Sequence, residues 1–274
     1  MEVFHTIADY KNLKLPVSIG FVPTMGALHT GHASLVQRSL NENETTIASI
    51  FVNPTQFNEK KDFDSYPNTL EQDLKLLKNL GVDLVYIPDV SDMYVLEPQI
   101  HVQHPMMNNV LEGKCRPGHF DGVALVVTKL LNRIKPDRAY FGKKDYQQLK
   151  IITDLSRDLD LGVEIVGCPT VRESSGLPLS SRNLLLEAGQ RAELEVFYDG
   201  LKKGLDHELE INDLIYEINA LLASTVDMYF EYLEILETTT FLPSERIDEG
   251  CRIFFAIKLP QLRIIDNFSV TKKL

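Results

Sequence analysis

An apolar strand pattern changes to a helical pattern within the stretch Phe21-Val22-Pro23-Thr24-Met25-Gly26-Ala27-Leu28-His29-Thr30-Gly31-His32. Residues 17–22 form an apolar run that predicts a buried strand. Val36 and Leu40 then share one face of a predicted helix. His29 and His32 therefore stand at a helix N-terminus, whose amides attract anions. Because Gly31 permits close approach to the backbone and imidazoles donate hydrogen bonds to phosphate oxygens, the stretch predicts a nucleotide triphosphate site.

Two other interpretations of this turn remain open from its residues. The first is a surface turn that carries two incidental histidines. The second is a zinc site, although His29 and His32 supply only two ligands and no nearby Cys or carboxylate pair completes a tetrahedron. The Lys and Arg residues of the other motifs bear on this choice, because an acidic protein needs local basic residues to bind an anion.

The composition indicates an acidic globular protein. Its 274 residues suffice for one large domain or two moderate ones. The formal net charge of -11 argues against binding of nucleic acid or of an anionic membrane surface, since both need basic residues. No apolar run reaches the roughly 18 residues of a membrane span, and the first residues lack a signal-peptide pattern. Cys115, Cys168 and Cys251 form no CxxC pair, which favours packing roles in a reducing compartment and predicts a cytoplasmic protein.

Strand and helix patterns alternate over the first part of the chain. The strand candidates are residues 17–22, 46–52, 84–87, 139–141 and 163–166. The helix candidates are residues 32–41, 69–80, 123–134 and 147–160. We expect Asn68 to cap the second helix, Gly81 to follow its end and Pro136 to follow the third. Such alternation implies βαβ units and a parallel sheet covered on both faces.

The pattern changes after Arg172. A loop rich in Ser, Gly and Pro covers residues 173–182 and precedes two helical patterns, residues 187–203 and 211–224. Three strand-like runs follow at residues 229–236, 252–257 and 262–265. We therefore expect an α/β protein with a Rossmann-like domain over residues 1–175 and a smaller α+β domain with an antiparallel sheet over residues 176–274.

Three polar segments directly follow predicted strands. They are the histidine stretch, Asn53-Pro54-Thr55-Gln56-Phe57 and Gly142-Lys143-Lys144-Asp145-Tyr146-Gln147-Gln148. Ligands of open α/β sheets bind beyond the carboxyl ends of the strands, so these segments should converge at one edge. A Lys beside a Gly can neutralise a phosphate, and Asp145 can cap the next helix. The Gln56 amide can hold a hydroxyl or a carboxylate, although a polar turn anchored by Phe57 explains that segment as well.

Two further segments combine basic and turn residues. In Leu179-Ser180-Ser181-Arg182-Asn183, two hydroxyls and a guanidinium suit the β and γ phosphates, and a Ser-rich linker is the alternative. The segment Lys114-Cys115-Arg116-Pro117-Gly118-His119-Phe120-Asp121-Gly122 either gates a site or forms an Asp-capped loop before the helix at residue 123.

Several common motifs are missing from the sequence. It contains no Walker sequence, no GxGxxG and no GxSxG, so it supports neither a P-loop kinase, nor a dinucleotide dehydrogenase, nor a serine hydrolase. The polar segments instead fit a reaction at a phosphate that forms no covalent intermediate with the enzyme. Phosphate is held by His, Lys, Ser and Arg while a substrate oxygen attacks.

Taken together and in this order, the motifs resemble those of the pantothenate synthetase (pantoate–β-alanine ligase) family. The matching segments are Pro23 to His32, Ser49-Ile50-Phe51-Val52-Asn53-Pro54-Thr55-Gln56-Phe57, Arg116 to Gly122, Phe141 to Leu149, Leu179 to Asn183 and Arg263-Ile264-Ile265-Asp266-Asn267. The resemblance covers essentially the whole chain. The histidine motif alone marks only the wider nucleotidyltransferase superfamily, whereas the Asn-Pro-x-Gln-Phe and Lys-Asp-Tyr-Gln-Gln elements are much more specific.

The resemblance implies a two-step reaction. ATP and pantoate give pantoyl adenylate and pyrophosphate, and the amine of β-alanine then displaces AMP to give pantothenate. It implies a catalytic role for His29, His32 and Lys144, with His32 of the proton-donor type. Pantoate would contact Gln56 and Gln148, and Gln56 would also meet β-alanine. Mg²⁺ would accompany the triphosphate without a protein metal site, and the protein would be a homodimer.

The resemblance also implies a large ATP site. Its residues would be Met25, Gly26, Ala27, Leu28, His29, Thr30, Gly31, His32, Gly142, Lys143, Lys144, Asp145, Val171, Leu179, Ser180, Ser181 and Arg182. The chain departs from the family pattern at three places: Lys143 replaces Glu, Ser175 replaces Asp, and Pro178-Leu179 replaces Ala-Met. Lys144 and Arg182 remain, and Leu for Met keeps volume and apolarity, so we expect the reaction to be retained.

Two rival functions can be separated by assay. Another adenylyl- or cytidylyltransferase of the same fold would not need both pantoate and β-alanine. A nucleotide-binding sensor would bind ATP without releasing pyrophosphate. For the ligase we expect ATP to order residues 174–183 and the smaller domain to act as a lid, because the adenylate is a labile anhydride.

Overall fold

A parallel sheet underlies the first part of the chain in this computed structural model. Its strands are β1 Glu2–Phe4, β2 Ile19–Thr24, β3 Thr45–Ile50, β4 Leu84–Tyr86, β5 Arg138–Gly142 and β6 Glu164–Cys168. They lie in the order β1-β4-β3-β2-β5-β6, and every neighbouring pair is parallel. The predicted Rossmann-like α/β fold is therefore confirmed. The short edge strand β1 is the one strand of this sheet that the sequence patterns did not predict.

The structure describes residues 1–12, 18–58, 60–205, 211–223, 225, 228–244 and 250–270. Val17, the first residue of a predicted strand, and Ser224, the last residue of a predicted helix, lie outside these residues. The chain divides into two compact units, unit 1 (Met1–Pro169) and unit 2 (Thr170–Leu274). Within the described ranges, no helix combines the length and apolar character that a membrane crossing requires.

The helices of unit 1 connect the parallel strands. They are α1 Ile7–Lys11, α2 Thr30–Glu42, α3 Lys60–Asp64, α4 Leu70–Leu80, α5 Val90–Met93, α6 Leu111–Cys115, α7 His119–Ile134 and α8 Tyr146–Asp158. The four long ones correspond to the four predicted helices. Gly81 follows α4 in the left-handed conformation that favours glycine, as expected. The residue before α4 is Thr69 rather than the predicted cap Asn68, and its side chain makes no capping hydrogen bond.

Helix α7 begins earlier than its apolar pattern indicated. Gly118, with φ of 82°, leads the chain into the helix at His119 rather than at residue 123. The interpretation of this segment as an Asp-capped loop is wrong, because the Asp121 carboxylate accepts hydrogen bonds from Gln103 and Asn108 instead.

The strand order places a crevice at the carboxyl end of β2. From β2 the chain first builds outward through β3 and β4, and it then returns to add β5 and β6 on the other side. In a doubly wound sheet this change of direction separates the following loops and opens a binding crevice. The strands β3, β2 and β5 are direct neighbours, so the three predicted polar segments leave the same edge of the sheet.

Apolar packing fixes this sheet between its helices. All six positions of β3 are buried. On one face, Val22 and Ala48 of the sheet share a core cluster with Val36 of α2 and Leu77 of α4. Full burial of a large apolar side chain stabilises the fold by about 1.5–3 kcal/mol, so α2 and α4 are held firmly against the strands that carry the site.

Unit 2 is a small α+β unit. Its strands β7 Tyr229–Glu237, β8 Cys251–Lys258 and β9 Arg263–Ser269 form an antiparallel sheet, and its helices are α9 Ala188–Leu205 and α10 Ile211–Ala223. The side chains of Phe197 and Leu201 on α9 share a core cluster with those of Ile253 and Phe255 on β8. The predicted helices and antiparallel strands of this region are confirmed.

The division between the units falls between Pro169 and Thr170, a few residues before the predicted boundary at residue 175. An ion pair joins the residues just after this division to unit 2. The Arg172 guanidinium donates to both carboxylate oxygens of Asp266 on β9, at 2.6 and 3.0 Å. Such bidentate charge-assisted pairs are strong, so the segment around Arg172 belongs to unit 2.

Helix α7 approaches a neighbouring backbone at Gly122. A Cβ atom at this position would lie 2.3 Å from the carbonyl oxygen of Thr55 and 2.7 Å from the amide nitrogen of Gln56. The only residue that fits is glycine, because backbone atoms cannot move aside as a flexible side chain can. This contact sets the distance between α7 and residues 54–56.

We expect Gly122→Ala to lower the free energy of unfolding by about 1–3 kcal/mol, the usual cost of overpacking. The better helix propensity of alanine, about 1 kcal/mol in a helix interior, works in the opposite direction and is too small to offset it. Chemical denaturation of both proteins measures the difference. The control is Gly189→Ala, because the added methyl on α9 would meet no atom within 4 Å. Equal stability of the two variants would contradict the close contact at Gly122.

Candidate active site

The turn after β2 is held in place by a buried carboxylate. Asp73 on α4 is only 3% exposed, and its carboxylate accepts hydrogen bonds from the backbone N–H of Ala27 at 2.9 Å and of Leu28 at 2.8 Å. The Thr69 hydroxyl donates to it as well, at 3.0 Å. Gly26 and Ala27 have φ of 83° and 50°, and the carboxylate stabilises this left-handed backbone by satisfying the amides that it exposes.

Asp73 lies outside the motifs that the sequence indicates as functional. A signal was available, because Asp73 lies on the same helix face as Leu70 and Leu77. An acidic residue on the apolar face of a helix is predicted to be buried, and a buried carboxylate needs hydrogen-bond donors.

His29 and His32 cap helix α2 and are fixed by this role. His29 is the residue before the helix, and its Nδ1 accepts from the backbone N–H of Gly31 at 3.1 Å. The Nδ1 of His32 accepts from the backbone N–H of His29 at 3.3 Å. A neutral imidazole that accepts at Nδ1 carries its proton on Nε2. Both histidines therefore present an Nε2–H donor at the N-terminus of α2.

The surroundings keep both imidazoles neutral. Burial and then the charge of Lys144 lower the pKa of His29, and Asp145 opposes them. Burial and the neighbouring His29 lower the pKa of His32 to about 3. The two rings lie 4.2 Å apart between centroids, so protonation of one disfavours protonation of the other. At neutral pH the pair therefore acts through hydrogen bonding, and an acid role for His32 would require a bound anion to raise its pKa.

The predicted lysine segment follows β5 as a 3₁₀ turn, Lys143–Asp145. The Lys144 ammonium lies 3.2 Å from a carboxylate oxygen of Asp145, and its charge acts on both histidines. The Lys143 side chain instead lies over β6, where its Cε is 3.2 Å from the position of a Cβ on Gly167. Asp145 directly precedes α8 but makes no capping hydrogen bond, so the predicted capping role is wrong.

The two glutamines of α8 have different surroundings. Gln147 is 4% exposed; its amide accepts from Glu112 N and donates to the carbonyl oxygens of Met107 and Val110, at 2.9–3.0 Å. Gln147 therefore ties α8 to the chain before α7. Gln148, one of the two residues that the family resemblance assigns to pantoate, is half-buried in the first turn of α8 beyond the carboxyl end of β5.

The segment after β3 forms a second 3₁₀ turn, Pro54–Gln56, capped by Asn53. The Gln56 amide nitrogen lies 3.0 Å from the Met25 sulfur, in the turn after β2. The side-chain oxygen of Gln56, Oε1, accepts a hydrogen bond from Asn53 Nδ2 at 3.0 Å. The structure thus joins two of the three predicted segments through a direct contact.

Arg116, which precedes α7, and His119, the first residue of α7, support this turn. The Arg116 guanidinium lies 3.1 Å from His119 Nε2 and can only donate, so Nε2 accepts and the ring proton is on Nδ1. His119 Nδ1 therefore donates to the backbone carbonyl oxygen of Gln56 at 2.8 Å. Burial and the charge of Arg116 lower the pKa of His119 to about 4. The side chain of Asn58 donates to the Pro117 carbonyl oxygen at 2.6 Å. This segment is therefore a support for residues 53–58.

Unit 2 contains the remaining predicted ATP residues. The backbone N–H of Leu179 donates to the carbonyl oxygen of Val171 at 3.0 Å. Ser180 precedes the 3₁₀ turn Ser181–Leu185, and its hydroxyl accepts from the Arg182 N–H at 3.2 Å. These contacts bring Val171 and the Ser-Ser-Arg sequence together within unit 2.

Among the residues that the structure describes, no group of three or more His, Cys, Asp or Glu is arranged to hold a metal ion. The Nδ1 atoms of His29 and His32 already accept backbone hydrogen bonds.

A sequence profile described as "Pantoate-beta-alanine ligase" matches residues 2–269. The bifunctional pantoate ligase/cytidylate kinase of Nostoc sp. strain PCC 7120 is 44% identical over 266 residues, which cover 91% of this chain and 49% of that protein. The chain therefore spans about half the length of this curated relative.

Solved structures resemble the whole chain. The crystal structure of pantothenate synthetase from Thermus thermophilus has a TM-score of 0.94 and 40% identity, covering 99% of this chain and 100% of that one. A pantoate-beta-alanine ligase from Francisella tularensis, complexed with beta-gamma ATP and beta-alanine, has a TM-score of 0.83 and 38% identity, covering 98% and 97%. The chain accordingly belongs to the pantoate-beta-alanine ligase family.

Proposed function

We propose that this protein condenses pantoate with β-alanine at the turn after β2, in a reaction driven by ATP. Pantoate and ATP form pantoyl adenylate and pyrophosphate, and β-alanine then displaces AMP to give pantothenate. One observation carries the proposal: two neutral imidazoles at the N-terminus of α2 keep their Nε2–H groups as donors and lie within reach of the charge of Lys144. Family membership and the ligands of the Francisella tularensis relative agree with it.

The first step requires hydrogen-bond donors to phosphate and no group that gives up a proton. A carboxylate oxygen of pantoate attacks the α-phosphorus, and the bond to pyrophosphate breaks, so no proton is transferred. Negative charge moves onto the phosphate oxygens and is stabilised by donors that are already in place. His29 and His32 supply two such donors, and Lys144 neutralises charge on the leaving pyrophosphate.

Gln56 and Gln148 are the proposed pantoate residues. Gln56 follows β3 and Gln148 follows β5, the strands on either side of β2, which leads into α2. Gln56 contacts Met25 beside the histidine turn, and this contact supports a role for its amide near the proposed phosphate site. We assign β-alanine to Gln56 as well, because the amine must reach the pantoyl carbonyl that adenylation has activated.

The wider ATP site is proposed from the same motifs. In unit 1 it comprises residues 25–32 and 142–145, and in unit 2 it comprises Val171 and residues 179–182. Mg²⁺ enters with ATP as part of the substrate. A homodimer in the cytoplasm completes the proposal, and sedimentation of the purified protein tests the dimer. The reaction itself is tested by pyrophosphate release from ATP, which should require pantoate, and by pantothenate formation, which should also require β-alanine.

The histidines give the first prediction. His29→Ala and His32→Ala should each lower the rate of adenylate formation by about 10²–10³, the effect of losing one preorganised donor. Single-turnover pyrophosphate release measures this rate. His101→Ala, at an exposed position in another loop, should retain the wild-type rate. Thermal unfolding must show that the variants fold, since both histidines also cap α2. Near-normal rates in both folded variants would refute the assignment.

Lys144 gives the second prediction. Lys144→Ala should slow pyrophosphate release strongly, and it should slow the reaction of preformed pantoyl adenylate with β-alanine much less, because no pyrophosphate is present in that step. Lys143→Ala is the matched comparison, since the neighbouring side chain lies over Gly167; we expect it to have the smaller effect on the first step. Equal losses in both steps for Lys144→Ala would exclude a leaving-group role.

A further inference from the structure

The amide of Asn53 can take only one orientation. Its Oδ1 accepts from the Thr55 backbone N–H at 3.3 Å, from the Thr55 hydroxyl at 3.0 Å and from the Tyr94 hydroxyl at 2.8 Å. Its Nδ2 donates to the carbonyl oxygen of Gly122 at 3.2 Å. A backbone N–H only donates and a carbonyl oxygen only accepts, so a flipped amide would lose contacts at both ends. The side chain is 1% exposed, and water cannot replace them.

The orientation of Asn53 sets the orientation of Gln56. Asn53 Nδ2 also donates to Gln56 Oε1 at 3.0 Å. Because two amide nitrogens cannot face each other in a hydrogen bond, the nitrogen of Gln56 must point to the other side, where it lies 3.0 Å from the Met25 sulfur. Gln56 therefore presents N–H donors toward the turn after β2, and the substrate group that meets them must be an acceptor oxygen.

Tyr94 begins this chain of hydrogen bonds from a separate part of unit 1. Tyr94 directly follows helix α5 and is half-buried. Its ring lies 6.4 Å from that of Phe51 between centroids, and the Lys129 ammonium lies 5.5 Å from its centroid. Burial raises the pKa of Tyr94, so the phenol keeps its proton and remains a donor to Asn53.

We propose that Tyr94 is a positioning residue for pantoate. Its hydroxyl holds the amide of Asn53, and Asn53 in turn holds the Gln56 amide as a donor to a carboxylate or hydroxyl oxygen of pantoate. The proposal rests on the assignment of Gln56 to pantoate made above. Tyr94 itself touches no reacting atom. Its effect should therefore appear in the binding of pantoate and not in that of ATP.

The test compares Tyr94→Phe with a matched loss of a buried phenol hydroxyl. Tyr10→Phe is the control, because the Tyr10 hydroxyl donates to the Ile134 carbonyl oxygen at 2.8 Å within unit 1. Tyr94→Phe should raise the KM for pantoate about three- to tenfold, the range for one neutral hydrogen bond, and leave the KM for ATP within about twofold. Tyr10→Phe should leave both constants unchanged. Thr55→Val removes the other hydroxyl that donates to Asn53 Oδ1, and it should act selectively on pantoate in the same way.

A double-mutant cycle separates this inference from the assignment of Gln56. Gln56→Ala should raise the KM for pantoate, and Tyr94→Phe should add nothing further in that background. If Gln56→Ala raises it but Tyr94→Phe and Thr55→Val do not, or if they change the constants for pantoate and ATP equally, the positioning role is overturned. Additive effects of Tyr94→Phe and Gln56→Ala overturn it as well. If Gln56→Ala itself leaves the KM for pantoate unchanged, the assignment of Gln56 fails, and the inference fails with it.

Discussion

The buried carboxylate of Asp73 is the constraint on which the rest of the site depends. It accepts from two consecutive backbone amides, Ala27 and Leu28, in a turn where Ala27 has the positive φ that alanine rarely adopts. Hydrogen bonds to a charged group contribute about 1.5–3 kcal/mol each, which is enough to offset a left-handed alanine at about 1–2 kcal/mol. Without the carboxylate, two inward amides would be unsatisfied and the start of α2 would not be fixed. The core contact of Leu77 holds α4, and thus Asp73, against the sheet.

The hydrogen bonds by which His29 and His32 cap helix α2 also set which ring nitrogen of each histidine carries the proton. An imidazole that accepts a backbone hydrogen bond through Nδ1 is committed to the Nε2–H tautomer, and burial keeps it neutral. The same contacts that begin helix α2 thereby convert two histidines into hydrogen-bond donors with one fixed direction. Positive charge is supplied separately by Lys144 from the end of β5. The hydrogen-bond donors thus follow β2 and the positive charge follows the neighbouring strand β5. This arrangement suits the proposed formation of the adenylate, in which negative charge moves and no proton is transferred.

Another group of residues orients the side-chain amide of Gln56, the proposed contact of pantoate. Gln56 is held through its backbone by His119 and through its side chain by Asn53, while Gly122 allows α7 to approach closely enough for these contacts. The segment around Arg116 and His119, which the sequence suggested as a gate or a capped loop, is a support of this kind. Its hydrogen bonds connect α7 to the turn after β3, so the position of the amide depends on helix packing far along the chain.

The sequence by itself determined the alternation of strands and helices, the change to an antiparallel unit, and the three polar segments after β2, β3 and β5. These features are local, because periodicity and turn residues are set by neighbours along the chain. The tertiary structure alone decided which backbone amides Asp73 binds, and the different surroundings of Gln147 and Gln148. It also decided the start of α7, the unit boundary after Pro169 and the hydrogen bonds that link Tyr94 to Gln56 through Asn53. The physical reason is that a polar side chain acquires its role from the donors and acceptors that the fold buries beside it, and those partners lie tens of residues away in the sequence.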